Sequence, residues 1–189
     1  VKGDKKRIIV NIAPRHGKLL ADETPVYTPK GWTTHGALKV GDYVYHPEGH
    51  KVKVVAVSEK SPADVRMEFT GGESIYCHEA HEWKVYNWYR GRWELREAQE
   101  FLVDSVTAHN IETKKDNYSI PPSVFGREKS TKYIKKVTHD PQNKIGHCIQ
   151  VDSPDGLYVV GKDFITTHNS EMASYLFPAW FLGQYPDKK

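Results

Sequence analysis

The chain has 189 residues, enough for one domain of ordinary size plus short extensions, with 38% of them hydrophobic. Lys and Arg number 27 against 24 Asp and Glu, a net charge of +3, too mild a basicity to argue for nucleic acid or a membrane surface as a partner. Two cysteines in different surroundings, Cys77 and Cys148, make no disulfide framework, and with no signal peptide or membrane-length apolar run the expected setting is soluble and cytoplasmic.

An apolar run at Ile8, Ile9, Val10 and Ile12 has the character of a buried parallel strand and leads into Pro14-Arg15-His16-Gly17-Lys18. A phosphate-binding loop would continue from Lys to Ser or Thr and then a helix. Here Leu19 follows and no helix signal appears. Residues 24–32 read as a strand and a turn at Pro29-Lys30-Gly31, residues 36–45 lead into another strand, and 51–57 alternate as a half-buried strand should. The pattern recurs at 65–69 and 74–77 around Gly71-Gly72. Residues 94–102 are a short helix candidate. Residues 105–143, polar and with a basic run from Arg127 to Lys136, are expected to form a flexible loop rather than a nucleic-acid surface. Order returns over 144–151, turns at Ser153-Pro154-Asp155-Gly156, and continues as a strand over 157–160. The last stretch, from Ser170 through Leu182, has helical spacing but lacks a strand before it.

Joining Lys18 to Ser170 repairs both ends at once, giving strand, loop, Gly-Lys-Ser and helix. The joined string Pro14-Arg15-His16-Gly17-Lys18-Ser170 resembles the variant Walker A loop of phage terminase large subunits, the ATPases that drive DNA packaging, although Ile12 stands where the first glycine of the full pattern would be. The resemblance implies that Gly17, Lys18 and Ser170 hold nucleotide once joined, that ATP and Mg belong only to that rejoined host, and that the host contacts DNA. The flanks 1–18 and 170–189 are too short to fold as an ATPase and are read as fragments around an insert, 19–169, that folds without them.

The insert ends in His168-Asn169-Ser170. An Asn can attack its own backbone carbonyl with its side-chain amide, and a Ser freed behind it can accept an acyl group and pass it to its own amine. Leu20 to Thr24, Lys39-Val40-Gly41-Asp42, His81, Cys148 to Asp152 and Phe164 to Ser170 fall in the order and spacing of the splicing blocks of inteins. This resembles a mini-intein, without room for a homing endonuclease, and implies the all-β, horseshoe-shaped Hint fold with pseudo-two-fold symmetry.

Most inteins begin with a Cys or Ser that attacks the upstream carbonyl, whereas Leu19 carries no nucleophile. Inteins of class 3 start this way, and the chain is similar to them at Trp83, two residues after His81, at Cys148 and at Thr167. The resemblance implies that Cys148 attacks the Lys18 carbonyl, that His81 protonates the leaving amine of Leu19, and that Trp83 packs beside Cys148. It further implies that Thr167 supports the thiol by a hydrogen bond, that Ser170 takes the acyl group, and that Asn169 cyclises with help from His168. His78 stands where this block more often has Thr and is a possible support. Cys77 reads as a structural thiol. Cys77, His78 and His81 have poor ligand spacing, so no metal and no cofactor are expected for splicing, which acts on the chain itself in cis. Two other readings stay open: a nucleotide-binding fragment carrying an inert insertion, and a Hint-type protease that cleaves without ligating.

Overall fold

The computed structural model describes residues 18–102, 117–126 and 131–169. In chain order its strands are β1 (Leu20–Ala21), β2 (Pro25–Thr28), β3 (Gly31–Thr34), β4 (Tyr43–Tyr45), β5 (Lys51–Val57), β6 (Ser61–Pro62), β7 (Val65–Phe69) and β8 (Ser74–Cys77). They continue as β9 (Glu82–Asn87), β10 (Arg92–Glu97), β11 (Tyr118–Ser119), β12 (Ile134–His139), β13 (Ile145–His147), β14 (Ile149–Val151), β15 (Leu157–Val160) and β16 (Ile165–His168). Alternation makes these segments strands. In β7, Val65, Met67 and Phe69 are buried while Arg66 and Glu68 point outward, and β5 buries Val52 and Val54 between exposed lysines. Gly71 and Gly72, both at positive φ, close the β7–β8 turn where a side chain would be strained.

The largest sheet runs β12-β7-β8-β1-β13-β6, and β10-β9-β11, β14-β5-β4, β15-β16 and β2-β3 form smaller ones. The core joins residues from all of these, including Leu20, Met67, Ile75, Trp83, Ile149 and Ile165. Two features of this arrangement position the site. The first is that β1 lies inside the large sheet, Leu20 pairing with Cys77 of β8 on one side and His147 of β13 on the other. Gly146 makes this possible, because a Cβ there would stand 1.9 Å from the Leu20 carbonyl oxygen. The second is that 144–151, expected only as a return to order, divides at Cys148: β13 pairs with β1 and β6, whereas β14 leaves to pair with β5.

Two other expectations change. Residues 92–97 are the strand β10, paired residue for residue with β9, and helical turns begin only at residue 98. The hairpin with β9 satisfies the backbone there, and the Glu97 N–H is capped by the Glu100 carboxylate. Within 105–143, expected as a loop, residues 118–119 extend the sheet of β9 and residues 134–139 form the edge strand β12 against β7. The strand expected over 7–13 and the helix expected from Ser170 lie outside the described residues. Among the described residues no helix is long and apolar enough to cross a membrane.

Candidate functional site

The Lys18-Leu19 bond immediately precedes β1. Because Leu20 sits opposite His147 in an antiparallel pair, Leu19 falls beside Cys148, and the two share a small apolar cluster with Ala21 and Ala63. Ser58, just after β5, fixes the Cys148 backbone at both ends: its hydroxyl accepts from the Cys148 N–H at 2.9 Å, and its N–H donates to the Cys148 carbonyl at 2.9 Å. The thiol donates to the Ile149 carbonyl at 3.4 Å. On the other side of the junction, the His78 N–H donates to the Leu19 carbonyl at 3.1 Å, so the contribution of His78 here is its backbone. Its ring instead accepts from the Ala80 N–H.

His81 is buried, and its Nε2 is 2.9 Å from the Thr167 hydroxyl. Burial drives its pKa down to about 3. A backbone interaction with Lys18 pulls the value upward, as a carbonyl acceptor would, while nearby His168 and the Lys18 charge push it down. Nδ1 is buried without a partner of full hydrogen-bonding geometry.

Trp83 does not pack against Cys148 as expected. Its ring meets His81 edge-on at 5.1 Å and Phe69 at 5.3 Å, and its indole N–H is buried without a hydrogen-bond acceptor. Alternation explains this, since Trp83 points inward from β9 to the main core while Cys148 belongs to the cluster around Leu19. Thr167 likewise serves His81 rather than the thiol. Cys77 is fully buried, and desolvation pushes its thiol up to about 12, an inert structural group.

The downstream junction lies at the end of β16. His168 pairs with Leu157, and its Nδ1 is 3.6 Å from the Glu82 carboxylate. The same carboxylate binds the Lys18 ammonium at 2.8 Å, so Glu82 touches residues of both junctions. Asn169 is buried; its N–H donates to the Gly156 carbonyl at 2.7 Å. With its amide oriented to satisfy both neighbours, the side-chain nitrogen also donates to Gly156 at 2.9 Å and the oxygen accepts from the Val151 N–H at 2.6 Å. Gly156, at φ 65°, leaves room for this amide; a Cβ would stand 2.2 Å from its side-chain nitrogen in this orientation. Ser170 and Gly17 lie outside the described residues.

A second layer went unseen in the sequence. Tyr158 is buried within electrostatic reach of Cys148, and its hydroxyl is 3.0 Å from His35 Nε2. Burial and the Cys148 charge both hold this phenol protonated, its pKa raised well above the ordinary value. His35, lowered to about 3 by burial, packs at a tilt against His147 with ring centroids 4.8 Å apart, and the His147 Nδ1 bonds Asp22 at 2.9 Å. Asp22 is salt-bridged to Lys60. Burial raises the Asp22 pKa, but Lys60 and His147 together outweigh it and leave it lowered. Only the adjacency of His147 to Cys148, and of Glu82 to His81, marked any of these residues beforehand.

Solved structures share this architecture. Matches include the MchDnaB-1 intein (25% identical, TM-score 0.59) and the Msm DnaB1 intein splicing domain bound with zinc (27%, TM-score 0.58). Each alignment covers 79% of this chain and 99% of the other. The fold is the Hint fold of inteins. The gp41-1 intein, 22% identical with a TM-score of 0.56, has the same fold over 81% of this chain and 99% of its own. These Hint neighbours support a protein-splicing domain.

No family model matches the chain. Among curated proteins, the replicative DNA helicase DnaB of Mycobacterium leprae (strain TN) is 28% identical over 167 residues, 87% of this chain. DnaB of Mycobacterium intracellulare is 41% identical over 78 residues, 40% of the chain. The alignments span 26% and 14% of those proteins. Both are named as helicases and neither as a terminase, so the comparisons point to a different host from the one expected.

Proposed function

We propose that residues 19–169 excise themselves and that Lys18 becomes joined to Ser170. The observation that carries this reading is the placement of Leu19 beside Cys148 with the Lys18 backbone facing His81. The Cys148 sulfur attacks the Lys18 carbonyl carbon, and its proton passes through His81 Nδ1 to the Leu19 nitrogen as the Lys18-Leu19 bond breaks. A thioester on Cys148 results. The Ser170 oxygen then takes the acyl group and the thiol is restored. Asn169 next attacks its own carbonyl carbon through its side-chain nitrogen, breaking the Asn169-Ser170 bond and forming a succinimide, with His168 protonating the Ser170 amine. That amine finally attacks the neighbouring ester, leaving an amide between Lys18 and Ser170. No metal or cofactor enters these steps.

The Cys148 and Asn169 sites each have fixed backbone hydrogen bonds, and Glu82 lies between the two junctions, which favours ligation over cleavage alone. The rejoined Gly17-Lys18-Ser170 supports a phosphate-loop ATPase as host. Pro14-Arg15-His16 favours a terminase over the helicase suggested by the curated relatives. Mass spectrometry of incubated full-length precursor should find a Lys18-Ser170 peptide and an excised 19–169 ending in succinimide. Cys148→Ala should remain uncut at Lys18-Leu19, and normal splicing by that variant would exclude Cys148 as the nucleophile.

A further inference from the structure

On the far side of Gly156 from Asn169 in sequence, Asp155 faces a cluster that the splicing chemistry does not use. The β4–β5 turn is closed by His46 N–H to the His50 carbonyl at 2.9 Å and Gly49 N–H to the His46 carbonyl at 2.8 Å. This brings ligand atoms of His46, Glu48 and His50 within 4.8 Å of one another. The rings of His46 and His50 stack at 4.2 Å, and His46 Nδ1 is 3.7 Å from the Glu48 carboxylate.

His46 differs from an ordinary surface histidine. It is 4% exposed, and its Nε2 lies 3.2 Å from both Asp155 carboxylate oxygens. Its Nδ1 accepts from the Glu48 N–H at 3.2 Å. The proton therefore sits on Nε2, directed at the carboxylate, and the Nδ1 lone pair is on the Glu48 side. A metal-bound imidazole needs this arrangement, in which a carboxylate behind the ring fixes its tautomer and raises its basicity. Asp155 is itself anchored, accepting from the Ser153 hydroxyl and the Leu157 N–H. A cavity of about 440 Å³ bordered by His46, Glu48 and Asp155 gives access from solvent.

We propose that His46, Glu48 and His50 form a binding site for a divalent transition metal of the zinc class, with Asp155 as the orienting carboxylate. Two imidazoles and one carboxylate suit zinc, nickel or copper and leave a fourth position for water. Binding would displace the 3.2 Å contact from Glu48 N–H to Nδ1.

Zinc chloride titrated by calorimetry into the full-length chain carrying Cys148→Ala, which removes the catalytic thiol as a competing ligand, should bind one to one. His50 is exposed, so His50→Ala should leave the metal-free melting temperature unchanged and weaken binding at least 10-fold. Asp155→Asn, which touches no metal, should weaken it about 10- to 100-fold. Cobalt in place of zinc should give visible absorption that His50→Ala abolishes. Stoichiometric binding that survives His50→Ala unchanged, or no stoichiometric binding by the parent chain, would overturn the proposal.

Discussion

Replacing Thr167 by Val keeps the branched shape of a fully buried side chain and removes one hydroxyl, the group 2.9 Å from His81 Nε2. When His81 carries the proton that the proposed mechanism assigns to it, both ring nitrogens are donors, and Nε2 then depends on Thr167 as acceptor. Stranding a buried donor costs about 1–3 kcal/mol. At about 1.36 kcal/mol per tenfold change, the upstream cut should slow roughly 5- to 150-fold. In an Asn169→Ala background, where the later steps are blocked, hydroxylamine-trapped cleavage at Lys18-Leu19 measured over time isolates this step. Thr167→Ser, which keeps the oxygen, should recover most of the rate. An unchanged rate in Thr167→Val, or Ser and Val variants that are equally slow, would refute the role assigned to the hydroxyl.

The remaining predictions address other parts of the site. Gly156→Ala should cost about 1–2 kcal/mol for its left-handed backbone, plus the clash with the Asn169 amide. It should suppress C-terminal cleavage while the branched thioester still accumulates on gels. Cys77→Ala should splice, whereas Cys148→Ala should not. In the native protein, iodoacetamide should spare Cys77, whose buried thiol is held near 12, as mass mapping of the alkylated chain would check. His35 and His81, lowered from 6.5 to about 3, stay neutral in the fold but take up protons on unfolding. Stability should therefore be fully present above about pH 6.5 and fall as pH drops toward 3. With both histidines contributing, the limiting slope is about 2.7 kcal/mol per pH unit, measurable from urea midpoints at successive pH values. Flat midpoints between pH 6 and 4 would contradict the buried-neutral assignment.

Much of the fold was legible because strands with one buried face write their alternation into the sequence. Residues 51–57, 65–69 and 74–77 form strands where that period predicts them. Residues 94–97 misled because short charged segments suit either period, and the pairing with β9 decides between them. The break at Cys148 could not be read, since a change of sheet in the middle of an apolar run leaves the local pattern unchanged. Cys148, His81 and Thr167 could be singled out as candidates by block position. Their partners were not, because which groups touch is fixed by side-chain direction across strands distant in sequence, as with Thr167 and His81, or Tyr158 and His35.

The central place of β1 has a consequence during synthesis. Strand β1 needs Cys77 on one edge and His147 on the other before the Lys18-Leu19 bond can meet Cys148, the nucleophile of the proposed mechanism. At about 5–20 residues per second, a ribosome would need several seconds or more to carry the chain from Leu20 to Cys148, and longer before Ser170 clears the exit. A chain truncated or stalled before β13 lacks that edge and the Cys148 thiol together, so under the proposed mechanism it should keep the Lys18-Leu19 bond intact and release no severed fragment. Under the proposed mechanism this geometry acts as a check on completeness: both proposed junctions must be translated before the insert can be removed.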